Sequence, residues 1–238
     1  MSQQLSYEQL ALAQVQSRET TDYRFAYWTY LGWTILTLGF YGHYATFKLV
    51  ERRAEHAKRR LAFMSYLWHA LNAKAEAAGR REEVAEGLDN LSRIYQQVET
   101  FERRNKREPV LWMLLRIFIG VIGAYINHFL NKDLIFLDTW EDSYFSNVEW
   151  VMQRLGYPVS IPKRTRRVPD RSTGVYVVAS IFTAGIFTLY WRYTVMMDGN
   201  AHFDDDAAAE DAILRAMGLT APSQLPLQSM EPPGTPAS

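Results

Sequence analysis

Phe25–Leu49, FAYWTYLGWTILTLGFYGHYATFKL, holds no acidic residue, and its one lysine or arginine is Lys48 at the far end. A helix needs about 20 predominantly apolar residues, at 1.5 Å each, to cross about 30 Å of hydrocarbon. This stretch is long enough, and two others match it. Val110–Leu130 carries only Arg116, and Gly174–Met197 only Arg192. Tyr23, Tyr27, Trp28 and Tyr30 sit at the start of the first stretch, and Tyr190, Trp191 and Tyr193 lie late in the third. Amphipathic rings take such places at headgroup depth. The fold class expected is therefore an all-α membrane protein with three transmembrane helices, multi-pass in the cell (plasma) membrane. The first residues show no apolar core behind a basic start, so no cleavable signal peptide is expected.

Composition averages hide this segregation. Lys and Arg number 26, as do Asp and Glu, so the formal net charge is zero. The absence of cysteine excludes disulfides, thiolate metal sites and cysteine nucleophiles.

Sliding the chain on itself by 146 positions lays the first apolar stretch on the third. Ile35, Thr37, Gly39, Tyr44 and His56 then meet Ile181, Thr183, Gly185, Tyr190 and His202. Apolar runs align by chance, so the Thr, Gly and His matches carry the inference of an internal duplication. Lys58, Arg59 and Arg60 in the first copy fall opposite Asp204, Asp205 and Asp206 in the second. In a parallel repeat a basic strip would face an acidic one, exposed and worth roughly 0 to 1 kcal/mol per pair.

Thr37-Leu38-Gly39-Phe40-Tyr41-Gly42, echoed by Thr183-Ala184-Gly185-Ile186-Phe187, resembles the Thr-Leu-Gly-Ile-Tyr-Gly helix motif of a bacterial membrane-protein family, a domain of unknown function. The resemblance covers the two repeat segments and departs from the motif at Ala184 and Thr188. It implies a membrane location and no particular activity.

Between the apolar stretches, residues 51–109 read as a helical hairpin with a coiled-coil-like seam. Leu61, Met64, Leu67, Trp68 and Leu71 stripe one arm, Val84, Leu88, Leu91, Tyr95 and Val98 the other, and Gly79 turns between them. Thirteen basic residues between Arg52 and Arg107 place this hairpin on the cytoplasmic side. Pro109 can open the next helix. The division expected is an N-terminal surface helix in 1–24, spans at 25–50, 110–131 and 174–197, and an amphipathic helix with a basic loop in 132–173. An acidic amphipathic helix follows at 198–220 and a proline-rich disordered tail at 221–238. Thr139 and Asp142 have capping-box spacing.

Candidate chemistry is sparse. His56 and His202 with Asp204 are candidate metal ligands, imidazole and carboxylate being a donor set for divalent ions. No paired catalytic carboxylates, nucleophile elbow or phosphate loop is present. The basic run Lys163, Arg164, Arg166 and Arg167 is expected to meet anionic lipid; without interleaved aromatics, nucleic acid is not an expected partner. The functional expectation is a scaffold or assembly protein in the lipid bilayer, a homo-oligomer or subunit of a membrane complex. A small transporter or channel built on the repeat, and a membrane-bound metalloenzyme, are the alternatives.

Overall fold

The computed structural model describes residues 5–219, all of whose regular structure is helical. The expected disordered tail at 221–238 lies outside the described residues. Helix α1 (Tyr7–Gln16) starts at a capping box: Ser6 Oγ accepts from the Gln9 amide (3.2 Å) and Gln9 Oε1 from the Ser6 amide (3.0 Å). It is followed by the short α2 (Arg18–Thr21), α3 (Tyr27–Leu36) and the 38-residue α4 (Phe40–Ala77). Then come α5 (Ala85–Arg104), α6 (Pro109–Phe118), α7 (Ile122–Arg154), α8 (Thr173–Phe182) and α9 (Ile186–Ala216).

The three apolar stretches do not form three crossings. Each is interrupted. Leu38 and Gly39 have φ of 49° and 95°, and Ala184 and Gly185 have 48° and 91°. These left-handed residues end α3 and α8 and start α4 and α9 in new directions. Between α6 and α7 the chain is extended at Ile119. What remains before each break is a ten-residue arm, about 15 Å at 1.5 Å per residue and half the hydrocarbon thickness. No helix among the described residues is long and apolar enough to cross a membrane. The expectation of a three-span, multi-pass membrane protein is thereby overturned, and with it the inside–outside topology. A transporter or channel between crossing helices loses its premise.

The breaks fold each apolar stretch into a hairpin. In the first, Tyr30 and Tyr41 lie 6.4 Å apart across the turn. In the second Trp112 lies 5.5 Å from Tyr125, and in the third Tyr176 lies 5.1 Å from Phe187. The expected segment boundaries dissolve accordingly. The distal half of the first apolar stretch and the first hairpin arm are one helix, α4. The second half of 110–131 runs into the amphipathic segment as α7, so Thr139 sits inside a helix and donates to the Ile135 carbonyl (3.0 Å) rather than capping one.

Two cores organise the molecule. The larger is built from the seam read in the sequence: Met64, Leu67 and Leu71 of α4 and Val84, Leu88, Leu91 and Val98 around α5 are buried. These arms do not bury only each other, because Tyr144, Val148 and Val151 of α7, Ala11 and Val15 of α1, and Ile213 and Leu214 of α9 join them. The N-terminal helix is thus part of the core. The smaller core, nearer the hairpin tips, unites Tyr30, Leu49 and Val50 with Ile126, Phe129, Trp191 and Val195.

Candidate functional site

The repeat motif explains its own geometry. Thr37 Oγ1 donates to the Trp33 carbonyl (2.7 Å) and accepts from the Tyr41 amide (2.9 Å), tying the end of α3 to the first turn of α4. Thr183 does the same between the Ala179 carbonyl (2.8 Å) and the Phe187 amide (2.9 Å). The Gly39 amide reaches the Thr34 carbonyl and the Gly185 amide the Ser180 carbonyl, each at 2.7 Å. All these partners correspond at the offset of 146. Threonine satisfies backbone groups freed by the turn, and glycine takes the left-handed angle at no Cβ cost.

The three tips lie at one end of the molecule. Arg116, just before the α6–α7 break, donates to the Gly42 carbonyl (3.1 Å), just after the α3–α4 break. It also donates to Thr46 Oγ1. Arg192, the repeat equivalent of Thr46, donates to that hydroxyl at 3.3 Å. The tips themselves touch little. Leu38 is 91% exposed, Phe118 82% and Phe182 85%. Ile35, Leu36, Phe40, Val121, Ile181 and Ile186 are exposed beside them. Trp28, Tyr44, Tyr125, Tyr190 and Tyr193 are exposed farther from the turns, so aliphatic and Phe side chains occupy the tips and amphipathic rings the flanks.

Away from the tips lies the second feature, a buried polar cluster where α4 and α9 run side by side. Arg59 bridges Asp22 Oδ2 (3.0 Å) and Glu210 Oε1 (2.8 Å). Arg60 bridges Glu210 (2.6 Å) and Glu141 (3.1 Å). Arg164 donates to Glu141 Oε2 and Asp206 Oδ1, both at 2.8 Å, and to Asp142 at 2.8 Å. Arg18 reaches Glu210 at 2.9 Å and also pairs with Asp211.

Within this cluster the rings of His56 and His202 lie 5.2 Å apart. His56 Nδ1 is 2.9 Å from Asp22 Oδ1, and His202 Nδ1 is 2.7 Å from Asp138 Oδ1. Burial alone would lower the His56 pKa, but the carboxylates of Asp22 and Asp206 prevail and raise it to about 8. Burial likewise pushes Asp206 upward, yet Arg164, His202 and Arg60 hold it well below the usual carboxylate range. Glu210 is held low against its own burial by Arg59, Arg60 and Arg18.

The proposed strip-to-strip pairing is met at one position. Arg60 Nε lies 3.5 Å from Asp206 Oδ2, and both are buried rather than exposed. Arg59 instead takes Asp22 and Glu210, Asp205 accepts from the Thr165 amide (3.1 Å), and Asp204 pairs at the surface with Arg24 (2.5 Å). Lys58 is exposed. Asp204 therefore stands away from the two histidines, and the acidic residue beside them is Asp206, one helical turn after His202. That (i, i+4) spacing was available in the sequence. Glu141 and Asp138 carried no local signal, since their partners are remote in the chain. Of the basic loop, Arg164 is buried among carboxylates, whereas Lys163, Arg166 and Arg167 are exposed. No protein-family model, curated protein or solved structure matches the chain, so the site is read from its own geometry.

Proposed function

We propose that the protein is a membrane-surface scaffold that seats three apolar hairpin tips in one leaflet of a lipid bilayer and holds a charged helical bundle above it. The observation that carries this reading is the exposure of large apolar side chains at three tips gathered at one end. Exposed apolar patches of this kind mark interaction surfaces. Arms of about 15 Å suit entry into half of a 30 Å hydrocarbon layer without crossing it. Trp28 and Tyr193, about 15 and 12 Å from their turns at 1.5 Å per residue, then fall near headgroup depth.

Because the chain has no native cysteine, single cysteines at Leu38, Phe118, Phe182 and, as control, Gly79 can each carry an environment-sensitive fluorophore. With vesicles of phosphatidylcholine and phosphatidylglycerol, lipids brominated on the acyl chain should quench the three tips and leave Gly79 unaffected. The reading is overturned if the protein does not float with vesicles, or if it forms a lipid-independent dimer in which the tips are protected by a second copy.

A further inference from the structure

We infer that His56, Glu141, His202 and Asp206 form a binding site for one divalent first-row transition-metal cation, clamped between α4, α7 and α9. The inference is independent of the membrane reading. One ligand atom from each residue falls in a group within 4.8 Å of one another, and all four side chains are buried. His56 Nε2, His202 Nε2 and Asp206 Oδ2 are buried atoms that make no hydrogen bond. Their nearest polar neighbours are one another and, at 3.5 Å, Arg60 Nε for Asp206 Oδ2 and Glu141 Oε2 for His202 Nε2. Contacts this loose leave buried polar atoms poorly satisfied, and a shared cation would satisfy all three.

The spacing suits a metal. His56 Nε2 lies 3.3 Å from Asp206 Oδ2, His202 Nε2 lies 3.5 Å from the same oxygen, and His202 Nε2 lies 3.5 Å from Glu141 Oε2. Ligands about 2.0–2.1 Å from a tetrahedral ion stand roughly 3.3–3.4 Å apart. Each imidazole already has its other nitrogen on a carboxylate, Asp22 for His56 and Asp138 for His202. That carboxylate–histidine arrangement fixes the tautomer with Nε2 as the donor to a metal.

Charge points the same way. Seven carboxylates (Asp22, Asp138, Glu141, Asp142, Asp206, Glu210 and Asp211) meet five guanidiniums (Arg18, Arg59, Arg60, Arg164 and, from the surface, Arg167). Coordination requires both imidazoles to be neutral, so metal binding displaces the proton that Asp22 and Asp206 favour on His56. The cluster's two excess negative charges are then cancelled by one divalent cation. Arg60 and Arg164 stand close by, but they are engaged with carboxylate oxygens. Imidazole and carboxylate donors without thiolate select Zn(II), Mn(II), Fe(II) or Co(II) over Ca(II) and Mg(II).

The test is titration of the chelator-treated full-length chain with Co(II), followed by visible absorption, and with Zn(II), followed by calorimetry. One equivalent should bind, with the intense d–d bands of low-coordinate Co(II). Removing one direct ligand, as in His202→Ala, should weaken binding by more than about 100-fold. Asp22→Asn or Asp138→Asn, which disturb only the supporting carboxylate, should weaken it by about 10- to 100-fold. Asp204→Asn, at the surface, should leave it unchanged. His202→Cys introduces the chain's sole thiolate and should add a sulfur-to-Co(II) charge-transfer band, which a merely structural histidine cannot produce. The inference is overturned if the wild-type chain binds no stoichiometric metal. It also fails if a folded His202→Cys chain binds Co(II) without the thiolate band or if Asp22→Asn and Asp138→Asn, folded by circular dichroism, bind as wild type does.

Discussion

Leu38 holds a left-handed φ of 49° and is 91% exposed. A β-carbon in that conformation costs about 1–2 kcal/mol, and nothing in the fold recovers it. Leu38→Gly should therefore raise folding stability by about 1 kcal/mol in denaturant melts while lowering affinity for vesicles, strain being retained where a surface has work to do. Thr46 makes a second case. It is fully buried and its hydroxyl receives both Arg116 and Arg192, neither of which forms an ion pair among the described residues. Thr46→Val removes the shared acceptor and should cost about 1–3 kcal/mol, read as a fall in thermal midpoint. Neither role was legible in the sequence. Thr37, Gly39, Thr183 and Gly185 stood out as repeated residues, yet they were read as part of continuous spans. A left-handed glycine is also how a helix stops, and hydropathy averaged over the stretch cannot distinguish the two.

At the scale of the element, the seam of α4 and α5 was read well because helical periodicity reports burial directly. Met64, Leu67, Leu71, Leu88 and Leu91 are all fully buried. What periodicity could not supply was the third partner. Gly87 of α5 faces α7 so closely that an added β-carbon would sit 2.6 Å from Val151 Cγ2 and 2.8 Å from the Trp150 ring. Gly87→Ala gains helix propensity of about 1 kcal/mol but overpacks a filled interface, at about 1–3 kcal/mol. A net destabilisation of up to about 2 kcal/mol is expected by chemical denaturation. Increased stability would mean that α5 does not approach α7 this closely. The same blindness affected the charged strips. Arg and Asp are rarely buried unless paired, so Lys58-Arg59-Arg60 and Asp204-Asp205-Asp206 read as two facing strips paired at the surface, not as part of a buried cluster. Their partners, Asp22, Glu141, Arg164 and Glu210, come from elements far away in the chain.

The whole molecule divides into an apolar end and a charged, tightly packed body, and the tips can be altered without touching that body. Leu38, Phe118 and Phe182 belong to three separate hairpins and are almost wholly exposed, so substitution there leaves the two cores and the buried cluster intact. Immersing one Leu or Phe side chain in hydrocarbon is worth about 1.5–3 kcal/mol, and placing an aspartate there costs more again. Each of Leu38→Asp, Phe118→Asp and Phe182→Asp should then lower the vesicle partition coefficient by at least about 10-fold, since 1.4 kcal/mol is one factor of ten. The tips are distinct sites on separate hairpins, so their free energies should add and the triple variant should stay in solution. Helical content and thermal midpoint should be unchanged in all four variants. If one substitution alone abolished binding and the other two had no effect, a single hairpin would be the anchor, and the gathering of three tips at one end would need another explanation. If none reduced binding, the attraction to vesicles would rest on exposed charge elsewhere on the surface, and would disappear with rising salt.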